Sequence, residues 1–146
     1  MKTLSGSFRY QGYVKSLERY GILPDPNLVF EGSYTYETGY DGLKKIIQSP
    51  VRPTALFAAN DMIAIGVYDA ATELGIAIPE DLSVIGHDDI SFASILRPKL
   101  TTIAVPRYKL GISCMEALHG LMNQKNPEAK RFLLESKLVV RDSVRS

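Results

Sequence analysis

Two stretches decide how this chain folds: Pro53-Thr54-Ala55-Leu56-Phe57-Ala58-Ala59-Asn60-Asp61 and Leu82-Ser83-Val84-Ile85-Gly86-His87-Asp88-Asp89. Each opens on an apolar run, Ala55 to Ala59 and Leu82 to Ile85, and ends abruptly in amide or acidic residues. Buried strands of a parallel sheet have this character, because helices cover both faces and polar groups collect in the loops at the carboxyl ends. Between the two runs, Ile63, Val67, Ala70, Ala71 and Leu74 recur at helical spacing. Asn60 or Asp61 can cap the start of that helix, and Gly75 stands where a left-handed residue ends one. The unit is strand, helix, strand, joined by short connections that imply a right-handed crossover.

Reading outward, Tyr10, Tyr13, Val14 and Leu17 place one apolar stripe on a helix that Gly21 and Pro24 bring to an end. Leu28 to Phe30 reads as a short strand. Tyr36, Tyr40, Leu43 and Ile47 repeat the helical spacing with Lys44 and Lys45 outward, until Ser49-Pro50 stops that helix. Beyond Asp89, Ser91 to Leu96 forms a helical turn, Arg97-Pro98 breaks it, and Thr101 to Val105 reads as a strand or extended crossover. Pro106 opens a helix whose stripe of Leu110, Cys114, Ala117, Leu118, Leu121 and Met122, widened by Ile112 and Met115, covers more than half its circumference. Such a helix expects cover from more than one side. A polar loop, Asn123 to Lys130, then leads to a last strand from Phe132 to Val140. The fold class is α/β: a parallel sheet sandwiched by helices.

Composition narrows the function. With 146 residues and 45% hydrophobic content the chain can bury one core. Its 17 basic and 16 acidic residues are interspersed, so no basic stripe marks a nucleic-acid surface. Cys114 stands alone, and His87 and His119 have no partner at zinc spacing, so neither a disulfide nor a metal centre is expected. No apolar stretch approaches the ~20 residues that span a bilayer, and Met1 to Gly6 is too short and polar for a secretory signal. The expectation is a cytoplasmic chain with no membrane contact.

A set of short motifs carries a resemblance. They are Arg9-x-x-Gly12-Tyr13, Glu31-Gly32-Ser33-Tyr34 with Gly39-Tyr40, Arg52-Pro53-Thr54-Ala55, Ala59-Asn60-Asp61 with Ala64-x-Gly66, Leu74-Gly75 with Ile78-Pro79-Glu80-Asp81, Gly86-x-Asp88-Asp89, Pro98-x-Leu100-Thr101-Thr102, Leu110-Gly111 and Leu138-Val139-Val140-Arg141. In this order the chain resembles the effector-binding domain of the lactose-repressor and galactose-repressor family of bacterial regulators. The resemblance implies a Rossmann-like lobe of a periplasmic-binding-protein-like fold, truncated: residues 1–104 and 131–146 form the C-terminal effector-binding lobe. Residues 105–130 are a crossover helix and loop belonging to a largely absent N-terminal lobe, which agrees with the wide apolar face read there. DNA would be reached only through a headpiece absent from this chain.

The same resemblance assigns Arg9, Tyr34, Asn60 and Asp88 to effector binding: a forked donor, a stacking ring, an amide and a carboxylate. The predicted elements agree, since Tyr34, Asn60 and Asp88 each follow a strand and Arg9 lies at a helix start, so all four meet at one sheet edge. These groups suit a small polar metabolite, a sugar before a purine or nucleoside. The chain departs from the family pattern at His87, where Tyr or Phe is commoner, and Ser5 lies where some members place an effector-contacting hydroxyl. Plainer readings stand beside this one. Asn60 and Asp61 are both good N-cap residues, with Asp61 capping and Asn60 facing the cleft if both roles hold; Asp88 and Asp89 could form a solvated turn, Arg9 could pair with Glu18 or Asp25, and Tyr34 could pack on the adjacent helix.

Catalysis is not expected. His87-Asp88-Asp89 is poorly spaced for one metal, and there is no Gly-rich phosphate loop or Gly-x-Ser-x-Gly elbow. No cofactor is expected. A sugar-binding protein of a transporter shares the two-lobed fold and is the alternative; an α/β enzyme ranks below it. The resemblance also implies a homodimer through the region of Ile63 to Leu74 and Phe92 to Pro98, with Ile65, Tyr68, Phe92 and Leu96 in contact. The stripe of residues 110–122 offers a second surface for association.

Overall fold

The computed structural model describes residues 3–123 and 132–145. Its main elements are α1 (Leu4–Arg19), α2 (Tyr36–Ile46), β1 (Ala55–Phe57), α3 (Asp61–Leu74), β2 (Ser83–Asp88), β3 (Thr101–Ala104), α4 (Arg107–Asn123) and β4 (Lys137–Val139), with single 3-10 turns at Pro26–Leu28 and Ser91–Ser94. The strands form one sheet in the order β1-β2-β3-β4. β1, β2 and β3 are mutually parallel, with Leu56 beside Val84 and Gly86 beside Thr102. β4 returns antiparallel, placing Val139 opposite Thr102.

Helix ends follow the capping residues. Thr3 accepts from the Gly6 amide at the start of α1, and Gly21 (φ 69°) closes it, with the Ile22 amide reaching back to the Leu17 carbonyl. Gly75 (φ 67°) ends α3 in the same left-handed conformation. The core lies where α3 covers the sheet and α2 packs on α3: Leu43, Val67, Leu82, Val84 and Leu100 are fully buried there. α2 and α3 touch backbone to backbone. A Cβ on Gly39 would lie 1.9 Å from the Ile63 carbonyl oxygen, and one on Gly66 would lie 2.0 Å from that of Tyr36. The rim of this contact is polar: Tyr36 donates to Asp69, Tyr40 to Glu73, and Lys44 to both the Tyr40 hydroxyl (2.7 Å) and Glu73 (2.8 Å).

Four expectations need correction. The sheet is not wholly parallel, because β4 comes back along β3. Leu28 to Phe30 is not a strand: Pro26–Leu28 is a 3-10 turn and Val29, although extended, joins no ladder. A run of three apolar residues carries strand propensity, but only a partner makes a strand. The last strand is Lys137–Val139, far shorter than Phe132 to Val140. Burial along β2 also alternates, with Leu82, Val84 and Gly86 buried and Ser83, Ile85 and His87 half-buried, so α3 covers one face deeply and the other is covered only in part. α1 and α4 have no buried residue along their described length, and Leu110, Leu118 and Met122 on α4 stand exposed. The loop expected over residues 123–130 lies, beyond Asn123, outside the described residues.

Candidate functional site

β1 and β2 run parallel, so their carboxyl ends open on the same edge of the sheet. Asn60 follows β1 at that edge. It is the N-cap of α3, with extended backbone, and its side-chain oxygen accepts from the Ile63 amide at 2.9 Å. Its amide nitrogen donates to the Tyr34 carbonyl at 3.3 Å. The roles expected of Asn60 and Asp61 are thereby changed: Asn60 both caps and faces the site, while Asp61 is buried. The Asp61 carboxylate accepts from the Thr102 hydroxyl (2.6 Å) and the Ile90 amide (2.9 Å).

Arg9 reaches the same edge from α1. It stands on the second turn of that helix, not at its start, because the helix begins earlier at Leu4. Its guanidinium donates to the Tyr34 hydroxyl at 2.8 Å and lies 5.4 Å from the ring centroid. Ser5 shares a hydrogen bond with the same hydroxyl at 3.0 Å. Burial alone would raise the Tyr34 phenol, but hydrogen bonds with Ser5 and Thr3, with the charge and hydrogen bond of Arg9, hold it below its ordinary value. A phenol in this setting offers a half-buried ring beside a fixed cation. Tyr34 itself is delivered by the loop before α2 and not by a strand.

Asp88 closes the constellation. Consecutive residues of a strand point to opposite faces, yet the Asp88 carboxylate lies 2.8 Å from Nδ1 of His87, its neighbour. The backbone explains this: Asp88 has φ 113° and Asp89 φ 51°, both in the region that non-glycine residues avoid. Arg9 approaches the same His87 nitrogen at 3.3 Å. One ring nitrogen cannot accept from the guanidinium and donate to the carboxylate at once, so the His87 tautomer decides which neighbour it serves. Asp89 turns the other way, paired with Arg141 at 2.7 Å while its carbonyl accepts from Arg107 at 2.7 Å.

Arg9, Tyr34, Asn60 and Asp88 thus fall into one linked array, with His87 between Arg9 and Asp88. Beside Arg9 and Tyr34 lies a cleft of about 470 Å³, lined also by Val29, Leu56, Phe57 and Ala58 but not by Asn60, His87 or Asp88. That volume is in the range of small-molecule sites. Two features escaped the sequence reading. The reach of His87 was signalled only by its departure from the family pattern, and the part Asp61 plays had no signal beyond capping.

A family profile for the periplasmic binding protein-like domain matches residues 4–144. The chain belongs to that family. Its relatives are lactose-repressor-type regulators: it is 37% identical over 139 residues to the HTH-type transcriptional repressor CytR of Escherichia coli, covering 95% of this chain and 41% of that protein. It is 36% identical over 138 residues to the ribose operon repressor of Haemophilus influenzae, covering 94% and 42%. Its fold superimposes with a TM-score of 0.87 on a sugar-binding transcriptional regulator of the LacI family from Escherichia coli complexed with phosphate, at 30% identity and covering 99% of this chain and 51% of that one. The chain spans about two fifths of the length of the curated relatives it matches.

Proposed function

We propose that this chain is the effector-sensing portion of a bacterial transcriptional regulator. It holds a small polar metabolite, a sugar foremost, on the edge formed by Arg9, Tyr34, Asn60 and Asp88. The observation that carries this reading is their arrangement: a forked cation, a half-buried phenol ring, a fixed amide and a carboxylate delivered from four separate segments to one sheet edge. Adjacent hydroxyls of a sugar can be received by the carboxylate and the guanidinium, while the ring offers a flat apolar face. Two of the relatives, a ribose operon repressor and a sugar-binding regulator, support the same ligand class. The reading assigns no catalysis, and the setting is cytoplasmic, as for a protein that acts on DNA.

Residues 1–104 with 131–146 would make one effector-binding lobe, and 105–130 would pack on a second lobe. The apolar stripe of α4, with Leu110, Leu118, Leu121 and Met122 all exposed, supports this division. Contact with DNA would be made by a helix-turn-helix headpiece outside this chain. Association as a homodimer follows from the same reading, through the segment around Phe92, whose side chain stands exposed while Leu96 is half-buried. Tyr68 cannot contribute, because it is buried in the core.

Effector binding would then bias the relative orientation of two lobes, which requires unequal affinity for the two states. With one wall of a two-lobed cleft, the chain by itself should bind weakly. The test is a titration with ribose, cellobiose and cytidine followed by amide chemical shifts, which detect millimolar affinity. Saturable shifts confined to Arg9, Tyr34, Asn60 and Asp88 are expected for at least one compound. Shifts elsewhere, or none with any of the three, would refute the site.

A further inference from the structure

Asp61 is the most deeply buried acid in the described residues, at 1% exposed. A carboxylate in that position needs a hydrogen-bond donor for each oxygen, and the fold supplies one from two different directions. Oδ1 accepts from the Thr102 hydroxyl in β3, and Oδ2 accepts from the Ile90 amide just beyond β2. β2 makes room for it at Gly86, where a Cβ would come within 2.2 Å of the same Oδ1. One side chain therefore joins the first turn of α3, the crossover strand and the segment that follows β2.

That segment contains the two residues with unfavourable backbone, Asp88 and Asp89. Non-glycine residues stay in such conformations only when their surroundings over-determine them. The entry to the turn is fixed by the pairing of Asp88 with Ala104, and its middle by Arg107 and Arg141 on Asp89. Its exit is fixed by Asp61 at Ile90. The unusual φ of Asp88 is what swings its carboxylate to the His87 side of the sheet, where Arg9 stands.

We propose that Asp61 is a positioning residue: it touches no effector, and by holding the Ile90 amide it keeps Asp88 in the conformation that faces the site. The importance of that pose for an effector rests on the reading given above; the hold on the turn does not. The adjacent pair Asn60-Asp61 then divides the work, with Asn60 on the open side and Asp61 behind it.

The test is amide hydrogen exchange and backbone chemical shifts on the whole chain without ligand. Asp61→Leu keeps the branched shape and removes both acceptors; an amide at this position could flip, offer its oxygen to the Ile90 amide and donate to the Thr102 hydroxyl, and so would not break the bond. Exchange at Ile90 should rise roughly ten- to a hundredfold, as expected for loss of a hydrogen bond to a charged acceptor. The Asp88 and Asp89 shifts should move, while Val67 and Val84 keep their protection. Thr102→Val, which frees one oxygen but leaves the Ile90 bond, should raise Ile90 exchange by a smaller factor; it stands in if Asp61→Leu does not fold. Unchanged Ile90 exchange in the folded variants, or a loss spread evenly over the core amides, would overturn the proposal. Adding ribose separates the two ideas: a turn that loosens in Asp61→Leu beside a wild-type Asp88 that never responds to ribose, cellobiose or cytidine keeps the positioning role and sinks the effector reading.

Discussion

Gly66→Ala should destabilise this chain by about 3 kcal/mol, although alanine is the better helix former by ~1 kcal/mol. The added methyl would sit 2.0 Å from the Tyr36 carbonyl oxygen, 2.8 Å from the Tyr40 nitrogen and 2.9 Å from the Tyr36 carbonyl carbon. All three are backbone atoms, so no rotamer change relieves the overlap. Ordinary carbon contacts need ~3.5 Å or more, so α2 would have to move away by more than ~1 Å. That gap would open across Leu43, Val67, Ala70 and Ala71, which are buried together in the core. A gap of that size forfeits a quarter to a half of the dispersion attraction at each contact, which places the cost at the upper end of the ~1–3 kcal/mol usual for overpacking even after the propensity gain. Gly39→Ala should behave alike, since its methyl would meet the Ile63 carbonyl at 1.9 Å. The assay is urea denaturation, with the slope for a domain of this size near ~2 kcal/mol/M and the midpoint therefore falling by more than ~1 M. Gly12→Ala is the control: it lies in α1 with nothing within 4 Å of its added methyl, and it should be neutral or mildly stabilising. If Gly66→Ala and Gly12→Ala both leave the midpoint within ~0.3 M of the parent, the backbone-contact account of α2 and α3 is wrong.

Arg141→Met removes donors to the Leu100 carbonyl (2.8 Å) and the Asp89 carboxylate (2.7 Å), and should cost about 2–3 kcal/mol in the same assay; a loss below ~0.5 kcal/mol would refute the clamp. Burial, with the nearby charge of Asp142, pushes the Tyr68 phenol up to about 12 against the opposing effect of Ser143, while the unfolded chain ionises near ~10. The folded value is the raised one, so this contribution to stability is complete below pH ~10 and is lost as pH climbs through about 12; Tyr68→Phe should flatten the alkaline limb of a stability curve, and an unchanged limb would exclude it. Sedimentation at rising concentration should detect self-association, and Leu118→Glu should abolish it if the exposed face of α4 is the contact; a retained dimer would point to the surface around Phe92.

The helices and the sheet edge were legible because each depends on residues close together in the chain. Gly75 was expected to end α3 on local grounds alone, and it does so in the left-handed conformation. The apolar runs before Asn60 and Asp88 located the open edge for a similar reason, since polar residues gather at the carboxyl ends of parallel strands, although the two faces of β1 and β2 are not equally buried. Gly39 and Gly66 were visible as parts of motifs, but the reason for them was not, because it lies in the approach of a helix from elsewhere in the chain. The missing strand at Leu28 to Phe30 and the antiparallel return of β4 are failures of the same kind. Local propensity cannot say which edge a segment will find.

The pair Asn60-Asp61 marks where local reading stops. Either residue can cap a helix, and the sequence offers no way to choose. The choice is made by partners 41 and 29 residues away, the Thr102 hydroxyl and the Ile90 amide, which give a buried carboxylate its donors and leave the cap to Asn60. The burial that makes Asp61 unavailable to a ligand is also what lets it act on the turn that carries Asp88. A sequence-based search for binding residues looks for polar groups at strand ends and so favours the residue that faces the cleft. The residue behind it, equally polar and adjacent in sequence, becomes visible only when the strained backbone at Asp88 and Asp89 raises the question of what holds it in place.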